Sequence, residues 1–277
     1  MITVGMSTSC VFPLPLEAAF RLARDSGFDG IEIMVTADPL TRDATALATL
    51  SARYGLPILS VHSPVLLFTQ LVWGSDPARK LHRSAELAAA VGARTVVVHP
   101  PYRWQPRYAR DFESHLREVA ARFAVEIAVE NMFPLPVAGS LVRAFAPSSD
   151  PVLVDCDAIT LDFSHAALAG RDSLEYALAM GDRLRHVHLS DGTASTADGQ
   201  LHDEHLVPGH GTQPVAEVLH YLASSDWNGS VIAEVHTGAM VSEATRLEQL
   251  RETRAFAASH IEAGVRARRA GRKDKIS

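Results

Sequence analysis

Residues 94–130 read RTVVVHPPYRWQPRYARDFESHLREVAARFAVEIAVE, and the order of patterns in this stretch decides the fold. Arg94–His99 is a short, β-branched apolar run. Arg107–Phe123 has helical length and spacing, and Val125–Glu130 is a second β-rich run. Two strands joined by a helix-length crossover form a parallel βαβ unit. Near-continuous apolar runs of this kind suit strands covered on both faces.

The same unit repeats in both directions. Further β-rich runs are Thr3–Met6, Gly30–Val35, Pro57–His62, Ile159–Phe163, Leu184–Leu189 and Val231–Val235. Helix-patterned segments between them are Leu16–Ser26, Thr41–Tyr54, Pro77–Val91, Val137–Phe145, Ser173–Gly181, Gln213–Ser225 and Ser242–His260. Asp76 is placed as an N-cap, Pro77 at the first helical position and Gly92 as the stop. Eight strand–helix alternations predict a single (β/α)8 barrel over residues 1–264. An open doubly wound sheet is the runner-up, but no GxGxxG follows the first strand.

Length and composition agree with that architecture. A chain of 277 residues, 47% of them hydrophobic, can build one large core. The formal charge is −6, and it is uneven. Residues 265–277 hold Arg266, Arg268, Arg269, Arg272, Lys273 and Lys275 against Asp274, and read as a basic, flexible tail. The rest of the chain is strongly acidic, a poor general surface for nucleic acid. Two cysteines, Cys10 and Cys156, make neither a disulfide framework nor a metal clip. No signal peptide or membrane-length apolar stretch is present, so a cytoplasmic location is expected.

In a barrel, chemistry gathers where strands end. The third strand ends at His62, the fourth at His99 and the fifth at Glu130. The sixth reads Leu161-Asp162-Phe163-Ser164-His165, the seventh His186-Val187-His188, and the eighth ends at Glu234. Asp203 and His205 sit in the loop after the seventh strand. Imidazoles and carboxylates delivered to one rim by six consecutive strands are the ligand types of a divalent metal. Crowded carboxylates repel unless a cation neutralises them. Glu32 ends strand two as a rim or supporting carboxylate, while His186 is expected to face the helices.

With these motifs in view, the chain resembles the xylose-isomerase-like barrels, a superfamily that includes endonuclease IV and the sugar-phosphate isomerases and epimerases. The resemblance runs from about Thr3 to His260. It implies a set of nine metal ligands: His62, His99, Glu130, Asp162, His165, His188, Asp203, His205 and Glu234. By that analogy His62, His99 and Glu130 hold one ion. Glu130, Asp162, His188 and Glu234 hold a second, and His165, Asp203 and His205 a third. The implied cofactor is zinc, up to three ions, or manganese. Gly209 and Gly211 then permit a tight turn after His205.

The same resemblance implies two chemistries. In the isomerases and epimerases, Glu130, Asp162, His188 and Glu234 correspond to a single-metal set, with Glu130 and Glu234 as proton carriers on a sugar or sugar phosphate. In the phosphodiesterases the full nine support displacement at phosphorus on abasic DNA or a small phosphoester. A metal-dependent lyase or hydrolase of a small polyol or glycoside is a third reading. The uncharged first loop (7–13) and apolar third loop (63–68) favour a small-molecule pocket over DNA. Arg103, Trp104 and Arg107 are read as substrate-binding, with Trp73 and His210 beside the mouth. The arginine that isomerases of this group carry after strand seven is absent here, where Gly192-Thr193-Ala194 stands instead.

Overall fold

The computed structural model describes residues 2–64, 69, 71–137, 140–193, 202–238 and 240–273. Eight parallel strands form a closed barrel: β1 (Thr3–Ser7), β2 (Gly30–Met34), β3 (Ile58–His62), β4 (Thr95–Val98), β5 (Glu126–Glu130), β6 (Ala158–Asp162), β7 (Leu184–Leu189) and β8 (Ser230–Ala233). Each pairs with the next, and β8 closes on β1 with Val4 opposite Val231. Among the described residues α-helices follow every strand but β5: α1 (Leu16–Asp25), α2 (Ala44–Tyr54), α3 (Pro77–Val91), α4 (Pro106–Phe123), then α5 (Phe163–Leu168) and α6 (Ser173–Met180) both after β6, α7 (Val215–Ser224) and α8 (Glu243–Lys273). The fold is the (β/α)8 barrel that the strand–helix alternation predicts.

Local chemistry sets the helix ends. The Asp76 carboxylate accepts from Ala78 N–H at 3.0 Å, Pro77 opens α3, and Gly92 ends it at φ 74°. Asp43 caps α2 by accepting from Thr45 and Ala46 N–H, and Gly55 closes it at φ 64°. The main core lies between strands and helices. Ile31, Val61, Val96, Val129, Leu161 and Val187 point outward from the barrel and meet helix residues such as Phe20, Leu47, Phe112 and Leu219.

The alternate strand positions point inward, and many are polar. Glu32, Ser60, Thr160, Asp162, His186 and His188 are all fully buried. Strand side chains two apart share a face, so His186 faces the barrel interior beside His188 and not the helices.

Two segments depart from the sequence-based expectation. Val137–Phe145 is not a helix; Leu135–Val137 and Ser140–Val142 pair as an antiparallel hairpin above β5. A short apolar run gives no period that separates helix from strand. The last helix does not stop near His260 but continues through Lys273. Within the segment read as a tail, Arg268 bonds Ser225 O and lies 2.9 Å from Asp226. Residues 65–68 of the third loop, Ala194, and residues 274–277 lie outside the described residues.

Candidate metal centre

The C-terminal rim is organised around Glu130, the last residue of β5, which is 1% exposed. Four imidazoles meet its carboxylate. Oε2 is 3.2 Å from His62 Nε2 and 3.0 Å from His99 Nε2; Oε1 is 3.3 Å from His165 Nδ1 and 3.1 Å from His188 Nδ1. His188 Nδ1 also lies 2.9 Å from Glu234 Oε2 and 3.8 Å from Asp162 Oδ2. Asp203 Oδ2 sits between His165 Nε2 at 3.2 Å and His205 Nε2 at 3.1 Å. All nine residues that the resemblance implies therefore converge. Ligand atoms of Glu130, Asp162, His188 and Glu234 lie within 4.8 Å of one another, as do those of His62, Glu130 and His188, and of Asp162, His165 and His205.

The tautomers are set by partners outside the centre. His62 Nδ1 meets Ser63 O at 3.0 Å, His165 Nδ1 meets Asn131 O at 2.9 Å, and His205 Nδ1 meets Glu234 O at 2.7 Å. A carbonyl only accepts, so each Nδ1 carries the proton, and the neutral ring presents a bare Nε2. The backbone at His205 is left-handed. It sits at φ 43°, and this turn folds its ring onto the Asp203 carboxylate.

Electrostatics describe a site built for positive charge. Burial alone would raise the Glu130 carboxyl; the His188 and His99 charges hold it well below the ordinary range. Glu234 is brought down to about 2, mainly by His188 acting against burial. Asp162 goes the other way, raised by burial and by the charges of Glu130 and Asp203. Burial would lower His165 and His188, but neighbouring carboxylates raise both well above the ordinary range; His205 rises to about 10 for the same reason. His99 is lowered by burial. Asp162 Oδ2 is buried with no hydrogen-bond partner, and an orphaned carboxylate oxygen amid imidazoles suits a divalent cation. The donor set fits the metal.

Several supporting residues were not singled out from the sequence. Asn131 ties β5 to β6, accepting from Asp162 N–H at 2.7 Å and donating Nδ2–H to Asp162 O at 3.0 Å. Ser9 donates to Glu234 Oε1 at 3.1 Å, and Ser164 to Asp203 Oδ1 at 2.7 Å. Asp191, 1% exposed, accepts from the N–H groups of Gly192, Gly209 and Gln213 and so shapes the loop carrying Asp203 and His205. Asn131 and Ser164 adjoin a candidate ligand in sequence, Asp191 follows His188 by three residues and Ser9 lies in the first loop, but nothing in residue type marks the pairing.

The proposed substrate residues separate. Trp104 lines a cavity of about 270 Å³ with His99, Lys80, Tyr102, Gln105 and Tyr108, and stacks on Tyr102 at 4.3 Å. This cavity adjoins the centre through His99. Arg103 and Arg107 are exposed; Arg107 lines an outer cleft with Asp111 and His115. Trp73 is half-buried and packs on the main core. His210 is exposed and pairs with Glu252 of α8 at 3.0 Å, away from the rim cluster. A side chain at Gly192 has little room, since an added Cβ would stand 3.1 Å from Ser164 Cα.

Comparison with known proteins places this geometry. The profile of the xylose isomerase-like TIM barrel matches residues 20–260. An uncharacterised protein of Mycobacterium leprae is 45% identical over 94% of this chain and 98% of its own. A fructoselysine 3-epimerase of Escherichia coli O157:H7 is 24% identical over 84% of this chain and 90% of its own. The crystal structure of a D-tagatose 3-epimerase-like protein superposes with a TM-score of 0.69 at 21% identity, covering 99% of this chain and all of the other. Among the described residues no helix is long and apolar enough to cross a membrane.

Proposed function

The chain belongs to the xylose isomerase-like TIM-barrel family, and on that premise we propose that it is a divalent-metal-dependent isomerase or epimerase of a small sugar. The observation that carries this reading is the four-residue cluster of Glu130, Asp162, His188 and Glu234, with both glutamates touching His188 Nδ1. A cation held by these four would polarise the carbonyl and hydroxyl oxygens of a sugar. Glu130 and Glu234 reach the same point from β5 and from the end of β8. One carboxylate can take a proton from a carbon next to the carbonyl while the other returns one. Ser9 fixes Glu234 by donating to Oε1, leaving Oε2 toward the centre. The cavity beside His99 supplies aromatic walls, Tyr102 and Trp104, suited to the apolar face of a sugar ring. That one relative is a fructoselysine 3-epimerase supports the substrate class.

A second reading keeps one specific observation: five further ligand-type side chains, His62, His99, His165, Asp203 and His205, join the same rim. That arrangement favours a multinuclear zinc phosphodiesterase. Metal counting and solvent exchange separate the two. The zinc- or manganese-loaded protein is incubated with ketopentoses and ketohexoses in deuterium oxide. Deuterium appearing next to the carbonyl, lost in Glu130→Gln and Glu234→Gln, is the expected result. Absence of exchange from the whole panel, with about three zinc ions per chain and cleavage of an abasic duplex, overturns the isomerase reading in favour of the second.

A further inference from the structure

We propose that Glu32, on β2, is the positioning residue that makes His188 a metal ligand through Nδ1. The inference rests on the metal reading above and assigns a role to a carboxylate outside the nine ligands. His62, His165 and His205 each tie Nδ1 to a main-chain carbonyl; Nε2 of His62 meets Glu130, and Nε2 of His165 and His205 meets Asp203. His188 is reversed. Its Nδ1 faces Glu130 and Glu234, and its Nε2 points to Glu32, 3.3 Å from Oε1 and 3.4 Å from Oε2.

The reversal has a structural reason. His188 lies inside β7, where strand pairing occupies the main chain, with Asp162 on one side and Ile232 on the other. An anchor for its outer nitrogen must therefore be a side chain. Glu32 is placed for this by its own partners. Ser60, its pairing neighbour on β3, donates to Oε2 at 2.8 Å, and His186 Nε2 lies 3.0 Å from the same oxygen. Glu32, Ser60, His186 and His188 are all fully buried, so no water competes.

An ionised acceptor makes a stronger hydrogen bond to a ring N–H than a carbonyl does. It holds the proton on Nε2, leaves Nδ1 bare and raises its basicity toward a cation. Glu32 and His186 thus form a second polar layer inside the barrel, below the rim, that fixes the one ligand in contact with Glu130, Asp162 and Glu234 together.

The test uses the full chain loaded with zinc, and chelator competition reads its affinity. Glu32→Gln keeps the volume and removes the charge; Ser60→Ala loosens Glu32 without touching a ligand. The expected result is zinc binding weakened about 10- to 100-fold in Glu32→Gln and by a smaller factor in Ser60→Ala. Nitrogen-15 NMR of the zinc-loaded, histidine-labelled wild type should show His188 protonated at Nε2, a readout that a purely structural role would not dictate. Affinity within twofold of wild type in Glu32→Gln overturns the inference, as does a wild-type His188 protonated at Nδ1. Loss of one metal equivalent per chain in Glu32→Gln also overturns it, since Glu32 would then be a ligand. If Glu32→Gln does not fold, Ser60→Ala and the wild-type spectrum still decide. A wild type that binds no zinc refutes the metal reading itself, a result distinct from unchanged affinity in the variant.

Discussion

Replacing Glu130 by Gln removes the one charge that four imidazoles share. Its two oxygens make contacts of 3.0 to 3.3 Å with His62, His99, His165 and His188, and only 1% of the residue is exposed. The amide keeps the shape but presents N–H at one end to a pair of imidazoles and loses the charge at both. Breaking a buried pair from one side costs about 3–5 kcal/mol. The individual contacts are not additive, because the same rings also face Glu234, Asp203 and Glu32. In a chain of this size that loss lowers the melting temperature of the chelated protein by roughly 10 °C. Metal affinity falls further, since a ligand and its charge disappear together; more than 100-fold, about 2.7 kcal/mol, is expected. Thermal unfolding by circular dichroism on chelated protein reads the first effect, and zinc titration against a competing chelator reads the second. A variant with wild-type melting and zinc affinity within twofold would refute the placement of Glu130 at the heart of the centre.

The remaining predictions concern protons, a glycine and the cavity. In the metal-free protein the surrounding carboxylates raise His165, His188 and His205, His205 to about 10, and so favour the protonated rings. Cation binding must expel those protons, and affinity should rise with pH; calorimetry in two buffers of different ionisation enthalpy should give different apparent heats, and equal heats would contradict it. The same shift sets a stability window for the metal-free protein: the His205 contribution is complete below about pH 6.5 and lost as pH climbs through about 10, readable by urea unfolding across that range. Gly211→Ala would bring a Cβ to Asp191 Oδ1 and to 2.6 Å from Gly192 N, displacing the loop that carries Asp203 and His205. A loss of about 1–3 kcal/mol in denaturant unfolding is expected, with reduced metal content. Trp104→Ala opens a wall of the cavity without touching a ligand; KM for a substrate sugar should rise while zinc content stays at the wild-type level.

Much of the centre was legible because a parallel barrel turns sequence position into place. A strand that ends in His62 or Glu130 delivers that side chain to the same rim as every other strand end, so the side chains that six strands bring together could be named from one chain. Pairings among them were not legible. That Asp203 bridges His165 and His205 follows from the left-handed turn at His205. His186 was misassigned although its two-residue spacing from His188 already placed both on one face. The hairpin after β5 escaped because its short apolar segments fit a helix as well as a strand.

What the sequence alone determined is the eight strands, the capped ends of α3 and the imidazole and carboxylate side chains at the rim, since these depend on local period and on chain order. What only the tertiary structure decided is which atoms face each other: Glu130 among four imidazoles, Glu32 beneath His188, Asp191 holding the loop, and His210 turned away to Glu252. Those facts depend on strand register and loop dihedrals that join residues apart in the chain, from a separation of 18 for Gly209 and Asp191 to 154 for His186 and Glu32. No local pattern encodes such a contact, because it exists only once the barrel has closed.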